Sequence, residues 1–308
     1  MNLVSVVVCT YNRSASLRET LEGLQGQRTD GFDYELLVID NNSRDDTRAV
    51  VESLAPRFGG RLHYVFEGRQ GLSHARNAGM REARGELIAF TDDDVLPAPD
   101  WLAALRVAAA AFSADCVFGR VVPLWLAPPP KWMGPYFLNR LAMLDRGGQA
   151  RLVSASREQF VGANFALTRR AVSLAGEFNV GLGNRGDRMG GEEDTEFFER
   201  LLAARLRIAY TPAAVVQHKV GEDRMRLAYF RRWHFDHGAA SAQLVSCAPH
   251  RGLCGIPFWA LRETLGHLVG WAAACLMGRP SRRLEHEMRL TFYAGMFSQK
   301  LRPSGGAA

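Results

Sequence analysis

The chain has 308 residues, so it holds one large domain or a core with an appendage rather than a string of small modules. At 47% hydrophobic and 23% charged it can build a sizeable core, which excludes wholesale disorder. The net charge of +6 is uneven: from Lys219 onward 13 Lys and Arg face 6 Asp and Glu, a local +7, which leaves −1 for residues 1–218. A neutral body with a basic tail argues against nucleic acid as a partner and suits a tail that meets phosphates or an anionic membrane face. Five scattered cysteines (Cys9, Cys116, Cys247, Cys254, Cys275) have neither disulfide-framework nor zinc spacing, which fits a reducing compartment. The opening MNLVSVVVCTYNR lacks a basic region before its apolar run and a cleavage site after it, so it reads as a strand, and a cytoplasmic chain is expected.

Along the first 120 residues, short apolar runs at Ser5–Cys9, Glu35–Asp40, Leu62–Phe66, Glu86–Thr91 and Cys116–Val122 alternate with helical patterns at Ala15–Gln25, Asp46–Leu54, Ser73–Arg84 and Asp100–Phe112. Apolar strands separated by helices predict a doubly wound α/β unit, a mostly parallel sheet covered on both faces. Ser14 and Asp45 stand where caps of the first two helices belong, and Pro97 and Pro99 precede the fourth. Beyond residue 122 the alternation breaks at a Pro128–Pro130 loop bearing Trp125, Trp132 and Tyr136. A strand at Phe160–Leu167, a glycine-rich loop at Gly181–Gly191, a helix at Glu193–Ala204 and short strands at Arg207–Tyr210 and Ala214–His218 follow. The core is expected to end near residue 220. A mostly helical extension over 221–308 follows, whose apolar stretch Ile256–Gly278 is interrupted by Arg262 and Glu263. Its uncharged run, Thr264–Gly278, is 15 residues, short of the ~20 that span a bilayer. Trp259, Leu261, Leu265, Leu268 and Trp271 suit an interfacial surface, or packing on the core or a second subunit.

In an open parallel sheet, ligands bind beyond the carboxyl ends of the strands. There the sequence has Thr10, Tyr11, Asn12 and Arg13 after the first strand, Asp40-Asn41-Asn42-Ser43 after the second and Asp92-Asp93-Asp94 after the fourth. No GxGxxG follows the first strand, which removes the dinucleotide fingerprint; an aromatic, an amide and a carboxylate suit a nucleoside base and ribose. Three adjacent carboxylates repel one another unless a cation or hydrogen-bond donors compensate. Oxygen ligands favour Mg²⁺ or Mn²⁺, which would grip a substrate's phosphates. One acidic residue suffices to cap the helix that follows, so capping alone accounts poorly for three. Glu192, Glu193 and Asp194 open a helix whose buried stripe is Phe197, Phe198, Leu201 and Leu202. Acidic residues there complement the helix dipole, but the glycine-dense approach suits a loop that closes over a substrate.

SVVVCTYNR (5–13), LLVIDNNSRDDT (36–47), GLSHARNAG (71–79), FTDDD (90–94), GANFALTRRA (162–171) and GEEDTEFFERL (191–201) together resemble the family 2 glycosyltransferases. The resemblance covers roughly the first 220 residues and implies a GT-A fold, with a nucleotide-binding half over 1–120 and an acceptor and base half over 121–220. It implies transfer of a sugar, with inversion, from a nucleoside-diphosphate sugar to a saccharide or lipid-linked acceptor. Thr10, Tyr11, Asn12, Arg13 and Asp40 would then meet base and ribose, and Arg76 would lie against the nucleotide. Asp92 would sit near the ribose and Asp94 on the Mn²⁺ or Mg²⁺, with Asp93 sharing either role. His218, after the AAVVQH strand, would reach the metal or diphosphate. Asp194 would be the catalytic base, with Glu193 its alternative. The family's QxxRW motif is matched only by Tyr229-Phe230-Arg231-Arg232-Trp233, which argues against a polymer-extruding synthase.

Two other functions fit parts of the pattern. An Mg²⁺-dependent phosphohydrolase built on DxDx[TV] would need Thr or Val where Leu96 stands. A catalytically inactive sugar-nucleotide-binding protein would have no use for Asp194. The basic, apolar tail adds an expectation of membrane-surface contact at the inner face, or of a homodimer.

Overall fold

A computed structural model describes residues 1–138, 140–186, 188–245, 252–253 and 255–301. Cys247 and Cys254 lie outside the described residues. The elements begin with β1 (Leu3–Thr10), α1 (Ser14–Gln25), β2 (Asp33–Asp40), α2 (Thr47–Leu54), β3 (Leu62–Phe66), α3 (Leu72–Glu82), β4 (Leu87–Asp92), β5 (Val95–Pro97) and α4 (Trp101–Ala111). They continue with β6 (Cys116–Trp125), α5 (Pro135–Leu138), β7 (Arg151–Val153), β8 (Phe165–Thr168), α6 (Arg169–Ala175), α7 (Glu193–Ala203) and β9 (Ile208–Val220). Three long helices follow: α8 (Leu227–Val245), α9 (Phe258–Leu276) and α10 (Pro280–Lys300).

Two compact units emerge. The first comprises Met1–Leu126, Leu141–Gly181 and Glu193–Val220; the second takes Ala127–Arg140, Leu182–Glu192 and the chain from Gly221 onward. The first unit carries a nine-stranded sheet in the order β3-β2-β1-β4-β8-β6-β9-β5, with β7 also on β9. Strands β1 to β4 are parallel, as their apolar runs predict, and Val4, Val6, Val7 and Val8 of β1 are wholly buried. Strand β8 enters antiparallel between β4 and β6, so the sheet is mixed in its second half. This is the α/β, GT-A-type architecture that the motifs imply, followed by a helical C-terminal region.

Several local readings need correction. Ser14 is the first residue of α1 rather than its cap; its backbone N–H donates to Asp45 Oδ2 (2.8 Å), while Asp45 Oδ1 accepts from the Thr47 hydroxyl (2.5 Å). One aspartate thus ties the starts of two helices together. The run Phe160–Leu167 becomes strand only from Phe165, because Gly162–Asn164 turn to serve the site. The two short strands expected around Pro212 are one strand, β9. Its partner β6 shifts register between Gly119 and Arg120, so that Gly119 pairs with Thr211 and Arg120 with Val215. This bulge absorbs the proline, which has no N–H to offer the ladder. Asn164 fills the gap: its amide donates to Arg120 O (2.9 Å) and Ala214 O (2.8 Å), and its oxygen accepts from the buried Trp101 indole (2.8 Å). Trp125 ends β6 and is not part of the proline loop.

In the second unit, Trp132 packs edge-on against Phe137 and Phe230 (5.0 and 5.9 Å between centroids), and the Tyr136 hydroxyl meets His234 Nε2 (2.8 Å). Arg231 pairs with Glu287 (2.7 Å) and Trp233 stacks on His237 (3.6 Å). These aromatics and basic residues are engaged in packing α8, α10 and the proline loop.

Candidate active site

Sheet register builds the rim. Thr10 pairs with Asp40 and Cys9 with Asp92, so the polar turns after β1, β2 and β4 end at one level. Asn12 and Asn42 adopt left-handed backbone (φ 52° and 66°), a conformation asparagine tolerates better than most residues. Four of the expected nucleotide contacts, Thr10, Asn12, Arg13 and Asp40, commit polar atoms to neighbouring side chains or loops. Asn12 N–H donates to Ser43 Oγ (3.0 Å) and Asn12 Oδ1 accepts from Arg44 N–H (2.7 Å). Asp40 accepts from the Tyr64 hydroxyl (2.7 Å) and from Ser43 N–H (2.9 Å). Thr10 Oγ1 donates to Asp93 Oδ2 (2.7 Å), and Arg13 reaches Asp93 (3.2 Å) and Asp94 (2.8 Å). Tyr11 lies half-buried in the same turn.

The aspartate triplet divides its labour. Asp93 turns towards Thr10 and Arg13, whereas Asp92 and Asp94 each offer an oxygen to a group completed by a His218 ring nitrogen. The three ligand atoms lie within 4.8 Å of one another. His218 arrives because β5 pairs Val95 with it, and the Lys219 N–H donates to Asp94 O (2.9 Å). Its Nε2 is 3.4 Å from Asp94 Oδ1. Burial raises the Asp92 carboxyl, with the Asp94 charge adding to it. Asp93 is pushed up to about 6, again mainly by burial, although Arg13 opposes the shift. Arg13 in turn is held firmly protonated, chiefly by Asp93. Two carboxylate oxygens and an imidazole nitrogen, pressed together at a cost in self-repulsion, fit a divalent cation such as Mn²⁺ or Mg²⁺.

A second charge cluster forms around Arg76 of α3. Its guanidinium, 4% exposed, pairs with Asp194 (2.7 Å) and Glu193 (3.0 Å) at the start of α7. It lies over the Phe178 and Phe165 rings (5.3 and 5.9 Å). Burial alone would weaken the guanidinium's hold on its proton, but the Asp194 and Glu193 charges outweigh it. Asp194 Oδ2 also accepts the Gly162 N–H (2.7 Å). Gly162 gets there because β8 runs antiparallel to β4, which brings the turn before β8 beyond the carboxyl end of β4, where Thr91 Oγ1 donates to Ala163 O (2.9 Å). Glu193 is pushed up to about 7 by burial and then by the Asp194 charge. Its pairing with Arg76 does not reverse this, since Arg76 is shared and lies closer to Asp194. The two clusters are neighbours: Asp92 feels the charges of both Arg76 and Asp194.

Sequence reasoning missed the service of Gly162 and Asn164, although both stand in the GANFALTRRA motif. A Cβ on Gly162 would collide with Arg76 Nη2 and come within 3.0 Å of Asp194 Oδ2. Gly162→Ala should therefore displace Arg76 from between its rings. The expected result is a fall of about 10²-fold in kcat, the usual cost of a misplacement near 1 Å, with the fold retained. Steady-state kinetics beside a thermal melt measure both.

The profile of Glycosyl transferase family 2 matches residues 5–147. The succinoglycan biosynthesis protein ExoM of Rhizobium meliloti (strain 1021) is 30% identical over 297 residues, 96% of this chain and 92% of that protein. The glucosyl-dolichyl phosphate glucuronosyltransferase of Haloferax volcanii is 30% identical over 231 residues, 72% of this chain and 70% of that protein. Among solved structures, a mannosyltransferase from Pyrobaculum calidifontis, in complex with GDP-Man and Mn²⁺, shares the fold. Its TM-score is 0.59 at 22% identity, over 96% of this chain and 85% of that one. Fold and site thus define a GT-A enzyme that transfers sugars. The chain belongs to glycosyl transferase family 2, whose members invert the anomeric centre.

Proposed function

We propose that this glycosyltransferase takes a sugar from a nucleoside-diphosphate donor and places it on a hydroxyl of a saccharide or lipid-linked acceptor, as in polysaccharide or glycoconjugate synthesis. The rim formed by Thr10, Tyr11, Asn12, Arg13 and Asp40 receives the base and ribose, with Asp92 and Asp93 at its edge and Arg76 behind it. Asp92, Asp94 and His218 hold Mn²⁺ or Mg²⁺. When bound, that cation supplies electrostatic stabilisation to the departing diphosphate. Asp194 takes the proton from the acceptor hydroxyl as it attacks the anomeric carbon. Arg76 and the Gly162 N–H hold the Asp194 carboxylate in one orientation, so its basic oxygen need not be ordered at the moment of reaction. A single displacement with one base gives inversion and needs no second carboxylate acting as acid. An acceptor carried on a membrane fits the apolar and basic character of the C-terminal helices.

The observation that carries this reading is the adjacency of the two clusters. A cation-ready group of Asp92, Asp94 and His218 stands within electrostatic reach of a carboxylate, Asp194, that is held by a buried arginine and a backbone donor. The expected result in a panel of nucleotide sugars is that one nucleoside-diphosphate sugar raises the melting temperature, and only with Mn²⁺ or Mg²⁺ present. With an acceptor it should then be turned over. Binding without turnover against any acceptor would favour the inactive-binder reading, and no binding under any condition would sink the transferase site.

A further inference from the structure

Helix α9 is apolar on the side it exposes. Of its 19 residues only Ala260 and Ala274 are buried, and these lie on the side packed towards α10, where Gly270 touches the His286 ring. Opposite them, Phe258, Leu265, Val269 and Leu276 follow spacings of seven, four and seven residues, which at 3.6 residues per turn sets them in one stripe. They are exposed, Leu265 and Val269 at 63% and Leu276 at 89%. Leu268 widens the stripe on one flank and is exposed as well. A contiguous apolar face of this kind on a helix surface marks a binding surface.

Charge selects the occupant. Arg262 borders the stripe, and Arg279, Arg282 and Arg283 follow its C-terminal end, all exposed. The one acid of α9, Glu263, lies towards the opposite side and pairs with its neighbour Arg262 (3.4 Å). A second copy docked on this stripe would bring arginines to a face that offers no facing acid. An anionic lipid surface satisfies both the apolar stripe and the basic border. A helix of 19 residues is about 28 Å long, enough to lay its stripe along such a surface. Among the described residues no helix is long and apolar enough to cross a membrane.

We propose that the α9 stripe, with Arg262, Arg279, Arg282 and Arg283, docks this chain on the surface of an anionic lipid bilayer. The stripe inserts at the level of the headgroups and the arginines meet lipid phosphates. This surface is independent of the donor site and stands or falls separately from it. The test is cosedimentation of the full-length chain with phosphatidylglycerol-containing vesicles and with pure phosphatidylcholine vesicles. Four arginines near an anionic surface should favour the former by about a hundredfold at low salt, and the preference should shrink as salt rises. Leu265→Glu/Val269→Glu, at positions more than half exposed, should lower vesicle binding at least about tenfold with an unchanged thermal melt. Arg279→Ser/Arg282→Ser/Arg283→Ser should erase most of the lipid preference while leaving donor binding intact. Equal binding to both vesicle types, or wild-type vesicle binding by the Leu265/Val269 variant, overturns the proposal. So does a dimer of the wild-type chain, seen by light scattering, that this variant converts to a monomer.

Discussion

Asp194→Asn should lower kcat by about 10²–10⁴-fold, the range that general-base assistance supplies, while the dissociation constant for the sugar nucleotide stays near its wild-type value. Asparagine keeps the shape and can still accept the Gly162 N–H that Asp194 Oδ2 accepts at 2.7 Å, so the turn before β8 is not disturbed. What asparagine lacks is an oxygen able to take a proton. The loss should therefore fall on turnover and not on donor affinity, a split that binding calorimetry and steady-state kinetics resolve. A loss confined to KM would remove Asp194 from the role of base.

Glu193→Gln is the control that separates the two neighbours. Glu193 is 8% exposed against 22% for Asp194, so it is the poorer candidate to meet an acceptor, and its amide should keep kcat within about tenfold of wild type. Its effect should appear in stability instead. The folded-state pKa of about 7 lies above the ordinary value of 4.5, so the folded chain binds this proton more tightly than the unfolded chain does. The contribution is complete below 4.5 and is lost as the pH rises through about 7. Glu193→Gln should flatten that slope, and urea midpoints on either side of the window measure it. A carboxylate with a pKa near neutrality is often assigned catalysis on that ground, but here burial beside Asp194 explains it.

Strands β1, β2 and β4 are legible in the sequence because they are buried on both faces. A run such as VVVC in β1 leaves no polar position to confuse the period. The rim is legible for the same reason, since polar clusters at the ends of such runs stand out. The second half of the sheet is not. Phe160–Leu167 looks like any buried strand, and nothing local says that only its last three residues are strand and run antiparallel between β4 and β6. Pro212 reads as a break, and only the distant pair Gly119 and Asn164 lets β9 pass through it. Likewise, an arginine in GLSHARNAG and an acidic helix start over 100 residues later each suggest a separate task. That they form one ion cluster is a tertiary fact, set by how β8 places Gly162 against both.

Chelation with EDTA should reduce turnover to background, with Mn²⁺ or Mg²⁺ restoring it, and Asp94→Ala should lose activity that no concentration of metal recovers. The argument rests on charge balance. Asp94 and His218 are buried with Asp92 half-buried beside them, and desolvation with the Asp94 charge raises Asp92. Arg13 compensates one side of the triplet through Asp93 and Asp94, so the apo site can fold, but Asp92 receives no such contact from it. A divalent ion held by Asp92, Asp94 and His218 would relieve that repulsion and would supply positive charge to a diphosphate. Removing the Asp94 carboxylate takes away one ligand and one of the two ion pairs of Arg13, so both metal affinity and the β1 turn suffer. Asp93→Asn separates these effects: it weakens the Thr10 and Arg13 anchors but leaves Asp92, Asp94 and His218 intact, so excess Mn²⁺ should still support turnover. Full activity of the Asp94→Ala variant in EDTA would mean that this enzyme stabilises its leaving group with protein cations alone, and Arg13 would be the first residue to test.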